Sequence, residues 1–149
     1  MLELKYPVRE YTTPNPVTIG PNDPLPTARD LMTEREIRHL PVLEDGKAIG
    51  ILSIRDVEVL RLHPNFDQLN VAQVMTRQPF AVKESTPLIH VAFQLSSRKI
   101  GSAIVEDREG HLVGIFTLTD ALNALVEFIR GDFYEDPDQT PLEAGGAPT

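Results

Sequence analysis

Gly50-Ile51-Leu52-Ser53-Ile54-Arg55-Asp56 recurs later in the chain as Gly114-Ile115-Phe116-Thr117-Leu118-Thr119-Asp120. In each copy a glycine and two apolar residues lead to a hydroxyl side chain, and an aspartate follows three residues on. The apolar run reads as the end of a strand, and the hydroxyl as the point where strand gives way to helix. Ser53-x-x-Asp56 and Thr117-x-x-Asp120 have the spacing of capping boxes, in which hydroxyl and carboxylate each satisfy a backbone N–H of the other. The same place suits a ligand. A helix start presents unpaired N–H groups and partial positive charge to a phosphate, and an acid one turn on accepts from the two hydroxyls of a ribose. Local spacing favours the cap, and the two roles are compatible.

The duplication extends far beyond this motif. A shift of 63 positions lays Val8 on Val71, Thr13 on Thr76, Pro16 on Pro79, Pro24-Leu25 on Pro87-Leu88, Arg35 on Arg98, Ile37 on Ile100 and Val42 on Val105. After Gly46 the shift is 64, so a single insertion separates two copies of about fifty residues. A repeat of that size reads as one supersecondary unit that cannot bury its apolar face alone.

Each copy predicts β-α-β-β-α. A short strand is expected at Val17-Thr18-Ile19 and at Phe80-Ala81-Val82. Asp23 and Thr86 are the expected N-caps of the following helices, with Pro24 and Pro87 at the first helical position. Leu25, Ala28, Leu31 and Met32 recur at helical spacing, as do Leu88, Val91, Ala92 and Leu95. A hairpin follows, His39 to Leu43 and Ala48 to Leu52 about Glu44-Asp45-Gly46, then Ala103 to Val105 and Leu112 to Phe116 about Asp107–Gly110. The closing helices run from Ser53 to Leu62 and from Thr117 to Arg130, the second with a broad apolar face of Ala121, Leu122, Leu125, Val126 and Ile129. The fold class is therefore α/β (α+β): two repeats packed about a pseudo-twofold axis, their sheets forming one core and leaving two related clefts. The divisions are an N-terminal extension over 1–7, repeat one over 8–62, a linker over 63–70, repeat two over 71–130 and an acidic tail over 131–149. The tail is expected to be disordered, with Phe133 and Tyr134 as docking candidates.

Composition narrows the function. The 149 residues carry a net charge of −8, which opposes nucleic acid as a partner. The absence of cysteine removes disulfides, thiolate nucleophiles and zinc-thiolate sites. His39, His63, His90 and His111 are scattered without paired metal spacing, and no Gly-x-Ser-x-Gly elbow or Walker-type loop is present. The first 20 residues lack an apolar signal core, and no run approaches a membrane span, so the expected compartment is the cytoplasm, without membrane insertion. The charged tip Asp107-Arg108-Glu109 reads as solvated.

The ordered, duplicated pattern resembles a tandem pair of CBS domains, or Bateman module, over about residues 8 to 130. The carrying segments are Thr13-x-x-Pro16-Val17-Thr18-Ile19, Ile37-Arg38-His39-Leu40-Pro41-Val42 and Gly50 to Asp56 in copy one. In copy two they are Met75-Thr76-x-x-Pro79-Phe80-Ala81-Val82, Ile100-Gly101-Ser102-Ala103-Ile104-Val105 and Gly114 to Asp120. The resemblance implies binding of AMP, ADP, ATP or S-adenosylmethionine in clefts between the repeats. It assigns Asp56 and Asp120 to the ribose, and Ser53 and Thr117 to the phosphate side, with Arg55 and Thr119 beside them. It assigns the base to Thr18, Ile19, Ile37, Arg38, His39 and Pro41, and to Ala81, Val82, Ile100, Ser102 and Ile104. It also implies a homodimer formed through helices. Copy two departs from the pattern with Ile104 in the place of Pro41 and Gly101-Ser102 in the place of Arg38-His39.

The expected function is thus a non-catalytic sensor of an adenine nucleotide, with no obligatory cofactor and no metal site, acting on a regulated protein through a partner contact or through dimer geometry. The alternative is a constitutive interaction or dimerisation module whose clefts bind nothing.

Overall fold

The computed structural model describes residues 6–132. A 3₁₀ turn at Val8–Tyr11 leads into β1 (Thr13–Pro14) and α1 (Leu25–Arg35). The first hairpin is β2 (His39–Glu44) and β3 (Lys47–Ser53), followed by α2 (Ile54–Leu60) and a second 3₁₀ turn at Phe66–Gln68. Copy two supplies α3 (Val71–Val74), β4 (Thr76–Arg77), β5 (Ala81–Lys83), α4 (Leu88–Arg98), the hairpin β6 (Ser102–Glu106) and β7 (Leu112–Thr117), and α5 (Leu118–Asp132).

The strands form two sheets, ordered β1-β7-β6-β5 and β2-β3-β4. Each repeat lends its opening segment to the other. β1 pairs antiparallel with β7, Thr13 opposite Ile115 and Pro14 opposite Gly114. β4 pairs antiparallel with β3, Thr76 opposite Ile51 and Arg77 opposite Gly50. The repeat shift converts the first pair of contacts into the second. The same operation relates three backbone contacts outside the strands. Leu88 N–H donates to Tyr6 O (2.7 Å) and Leu25 N–H to Leu69 O (2.9 Å). Val8 N–H donates to Thr86 O (2.7 Å) and Val71 N–H to Asp23 O (3.0 Å). Pro7 bridges Pro87 as Asn70 bridges Pro24. The expected pseudo-twofold relation is therefore built into the backbone, and the halves are interlocked rather than merely adjacent.

The shared motif glycine has a steric reason in this exchange. A Cβ on Gly50 would collide with the Met75 sulfur and lie 3.0 Å from Thr76 O. A Cβ on Gly114 would collide with the Thr12 side chain and lie 2.7 Å from Thr13 O. In both sheets the other repeat's opening segment crosses directly over the glycine.

Several expectations need correction. The strand expected at Val17–Ile19 reduces to a single parallel bridge, Ile19 to Val42, whereas its copy-two counterpart is the three-residue β5, parallel to β6. Neither Asp23 nor Thr86 caps a helix. Pro24 and Pro87 themselves occupy the N-cap positions without a side-chain bond, and the Asp23 carboxylate instead accepts from Gly20 N–H (2.9 Å). The first hairpin turns in two residues, since Asp45 (φ 52°) and Gly46 (φ 78°) both adopt the left-handed backbone of a type I′ turn. The linker over 63–70 carries an anchor: Phe66 is 4% exposed, buried in the first core, with the Arg29 guanidinium 5.2 Å from its ring centre. The last helix continues through Gly131 to Asp132, past the expected end at Arg130. The rest of the acidic tail, including Phe133 and Tyr134, lies outside the described residues.

Buried apolar residues form two clusters, one for each sheet, rather than the single core expected. The first gathers Leu25, Met32, Leu40, Leu52 and Val57 with Val71 and Met75 of copy two. The second gathers Leu88, Val91, Leu95 and Phe116 with Val8 of copy one. Each core thus borrows from the other repeat, which accounts for a fold that needs both. Emptying one anchor, Phe116→Ala, removes enough packing to cost about 3–5 kcal/mol.

Candidate functional site

Both motif repeats form the expected capping boxes. Ser53 Oγ accepts from Asp56 N–H (3.2 Å), while the Asp56 carboxylate accepts from Ser53 N–H (3.2 Å) and from the Ser53 hydroxyl (2.8 Å). Thr117 and Asp120 repeat the pattern at 3.3, 2.8 and 3.1 Å. The strand end delivers the hydroxyl, and the first helical turn brings the aspartate back over it. The surroundings then diverge. Asp120 Oδ1 accepts from the Thr13 hydroxyl (3.3 Å). Among the described residues, Asp56 has no corresponding bond from Thr76.

Asp56 opens onto a cavity of about 640 Å³ at the seam of the repeats, within the size range of pockets that enclose small ligands. Arg38, His39, Ile51, Ser53, Arg55 and Asp56 line it from copy one. Thr76, Pro79, Phe80, Lys99, Ile100 and Ser102 face them from copy two. Strand exchange explains this composition, because β4 runs beside β3 and carries Pro79 and Phe80 to the cavity wall. Phe80 is held by Arg98, whose guanidinium stacks 4.5 Å from its ring centre. Ile54 N–H donates to Arg38 O (2.8 Å) and Leu118 N–H to Gly101 O (3.1 Å), fixing these two equivalent segments against their helices. His39 then lies against Gly101, where any Cβ would sit 3.1 Å from its Nε2. Burial chiefly, with the neighbouring Arg38 charge, holds the His39 imidazole below its ordinary pKa, and Asp56 opposes the shift.

Of the residues named from sequence, Arg38, His39, Ser53, Arg55, Asp56, Ile100 and Ser102 line this cavity. The remainder do not. Ile19 is buried and its backbone is engaged with Pro41 and Leu43; Thr18 beside it is half-buried. Pro41 and Ile104 are buried within their hairpins, and Ile37 packs on the first core. Ala81 and Val82 lie in β5, an edge strand of its sheet. Thr117, Thr119 and Asp120 occupy the equivalent place on the other side of the pseudo-axis. The sequence reading grouped Asp56 with the opening strand of its own copy. It missed Thr76, Pro79, Phe80 and Lys99, which strand exchange brings in from the other.

Two further features lie apart from the cavity. At the β6–β7 tip, Asp107, Glu109 and His111 bring potential ligand atoms within 4.8 Å of one another. The Asp107 carboxylate there accepts from Glu109 N–H and His111 N–H, both at 2.9 Å, so the turn itself accounts for the arrangement. Between α4 and α5, a groove of about 480 Å³ is walled by Tyr6, Leu88, Ile89, Ala92, Leu125 and Phe128. Among the described residues no helix is long and apolar enough to cross a membrane.

The model of the CBS domain family matches residues 8–59 and 71–127. The chain belongs to the CBS domain family. It is a CBS pair, and solved CBS pairs share its fold. CBSX2 of Arabidopsis thaliana, solved in complex with AMP, is 27% identical with a TM-score of 0.75, over 83% of this chain and 98% of that one. The CBS domain pair of protein MJ0100, in complex with 5′-methylthioadenosine and S-adenosyl-L-methionine, is 27% identical with a TM-score of 0.74, over 82% and 97%. The CBS domain of a bacterial CNNM/CorC family Mg²⁺ transporter, in complex with ATP, is 27% identical with a TM-score of 0.75, over 84% and 89%. In sequence, an inosine-5′-monophosphate dehydrogenase of Thermoplasma acidophilum is 33% identical over 105 residues, 70% of this chain but 21% of the dehydrogenase. The match therefore spans about a fifth of that enzyme's length.

Proposed function

We propose that this CBS pair is a non-catalytic regulatory module of the cytoplasm that takes an adenine nucleotide or S-adenosylmethionine in the cavity beside Asp56. The observation that carries the reading is the pairing, across one seam, of a carboxylate from copy one with an aromatic ring and a cation from copy two. Asp56 serves as acceptor for ribose hydroxyls. Phe80, Pro79 and Ile100 offer the apolar wall that a purine needs. Arg38, Arg55 and Lys99 surround the phosphate end. The relatives solved with AMP, ATP and S-adenosylmethionine support this ligand class. A ligand in the seam touches both repeats, so it biases their relative placement by its differential affinity for the two arrangements. That change is passed to a regulated protein.

The same proposal includes a homodimer, and α4 and α5 supply its surface. Ile89 and Phe93 on α4, and Leu122, Leu125 and Ile129 on α5, are all more than half exposed. The repeat shift maps Phe93 to Asp30, Leu122 to Glu58 and Leu125 to Arg61, so three of these five positions are charged in copy one. An exposed apolar stripe along two neighbouring helices is what self-association would cover. It also favours the second reading, a dimerisation module with non-binding clefts. Hydrogen exchange with sedimentation separates them. The sensor reading expects slowed amide exchange around 38–39, 53–56 and 76–80 on adding AMP, ADP, ATP or S-adenosylmethionine. The second reading expects a dimer with no protection from any of them.

A further inference from the structure

The two sides of the pseudo-axis are not electrostatic equals, and the difference names a ligand. Arg38, Arg55 and Lys99 line the cavity beside Asp56, three cations against one carboxylate in a chain of net charge −8. Among the described residues none of the three makes an ion pair. The repeat operation carries Arg55 to Thr119 and Lys99 to Glu36. That second equivalence is structural as well as sequential, since Glu36 (φ 53°) and Lys99 (φ 55°) are the left-handed C-caps of α1 and α4. The Asp120 side therefore exchanges two cations for a hydroxyl and a second acid, and its aspartate already holds Thr13.

We infer that the cleft beside Asp56 takes an adenosine di- or triphosphate, one per chain, in preference to AMP or the cationic S-adenosylmethionine, and that the Asp120 side takes no polyphosphate. The inference rests on the nucleotide reading above and sharpens it. Unpaired cations focused in a recess attract each added phosphate charge, and charge-assisted hydrogen bonds reward contact. The sulfonium of S-adenosylmethionine would meet the same cations as repulsion. Glu36 and Asp120 would oppose a polyphosphate in the same way.

Isothermal titration of the full chain with ATP, ADP, AMP and S-adenosylmethionine, each at low and high salt, tests it. The expected result is one ATP or ADP per chain, bound on the order of tenfold tighter than AMP and more tightly still than S-adenosylmethionine, with the advantage shrinking in salt. Lys99→Glu and Arg55→Thr, which import the residues of the other side, should each weaken ATP about tenfold while changing AMP far less. Equal affinity for AMP or S-adenosylmethionine, or two equivalent ATP sites, would overturn this inference and leave nucleotide binding standing. Absence of binding by all four ligands would overturn both.

Discussion

Ser53 and Asp56 satisfy one another three times over: each accepts the other's backbone N–H, and the Ser53 hydroxyl donates to the same carboxylate oxygen, Asp56 Oδ2, at 2.8 Å. One oxygen of the aspartate is thereby committed to the helix start. Its other oxygen, Oδ1, has no hydrogen bond among the described residues and remains available at the cavity wall. In the proposed site, structural and ligand roles would be divided between the two oxygens of one side chain.

Asp56→Ala and Asp120→Ala should each cost stability, because each removes an N3 acceptor from a capping box, and Asp120→Ala also releases the Thr13 hydroxyl. A loss of about 1 kcal/mol lowers the unfolding midpoint by roughly 2–4 °C. Thermal unfolding without ligand checks this. Their effects on nucleotide binding should differ, with Asp56→Ala abolishing it.

Gly50→Ala and Gly114→Ala should destabilise more than a surface change, by about 1–3 kcal/mol each, since the new Cβ meets the backbone of the crossing strand. Denaturant unfolding at constant m-value measures it. A neutral outcome at either position would show that β1 or β4 can lift away from its sheet.

Acid should weaken the fold through His39. Its folded pKa lies below the ordinary value of 6.5, so the unfolded chain binds the proton more readily. The stabilisation is complete above about pH 6.5, where the imidazole is neutral in both states, and falls as pH drops from there toward the folded pKa. The unfolding midpoint should therefore decline between pH 7 and pH 5.5, less steeply in His39→Gln.

Leu122→Asp and Phe93→Asp should convert a dimer to monomer in sedimentation without lowering the denaturation midpoint measured at high dilution. Both side chains stand well clear of the core, at 62% and 66% exposure. Glu58→Ala and Asp30→Ala, their pseudo-equivalents, should leave association unchanged.

What could be read from the chain alone follows from locality. The capping boxes at Ser53 and Thr117, which the sequence states twice, and the hairpin turn at Asp45-Gly46 are decided within a few residues. Strand exchange was not legible, because Thr13-Pro14 and Thr76-Arg77 are too short to carry an alternating pattern. The grouping of the cavity went with it. Lys99 is the C-cap of a helix in the other repeat and gives no local sign of facing Asp56. The apolar face of α5 was visible as periodicity, but periodicity does not say whether a face meets the chain's own core or another surface.

Nucleotide-dependent thermal unfolding decides whether the cavity beside Asp56 is the proposed adenine-nucleotide site. Ligand at about a hundred times its dissociation constant stabilises the folded state by ~2.7 kcal/mol, which raises the midpoint by several degrees at this length. Such a rise is expected with ATP or ADP, lost in Asp56→Ala and kept in Asp120→Ala. An unchanged midpoint with AMP, ADP, ATP and S-adenosylmethionine alike, or a rise that survives Asp56→Ala, would contradict it.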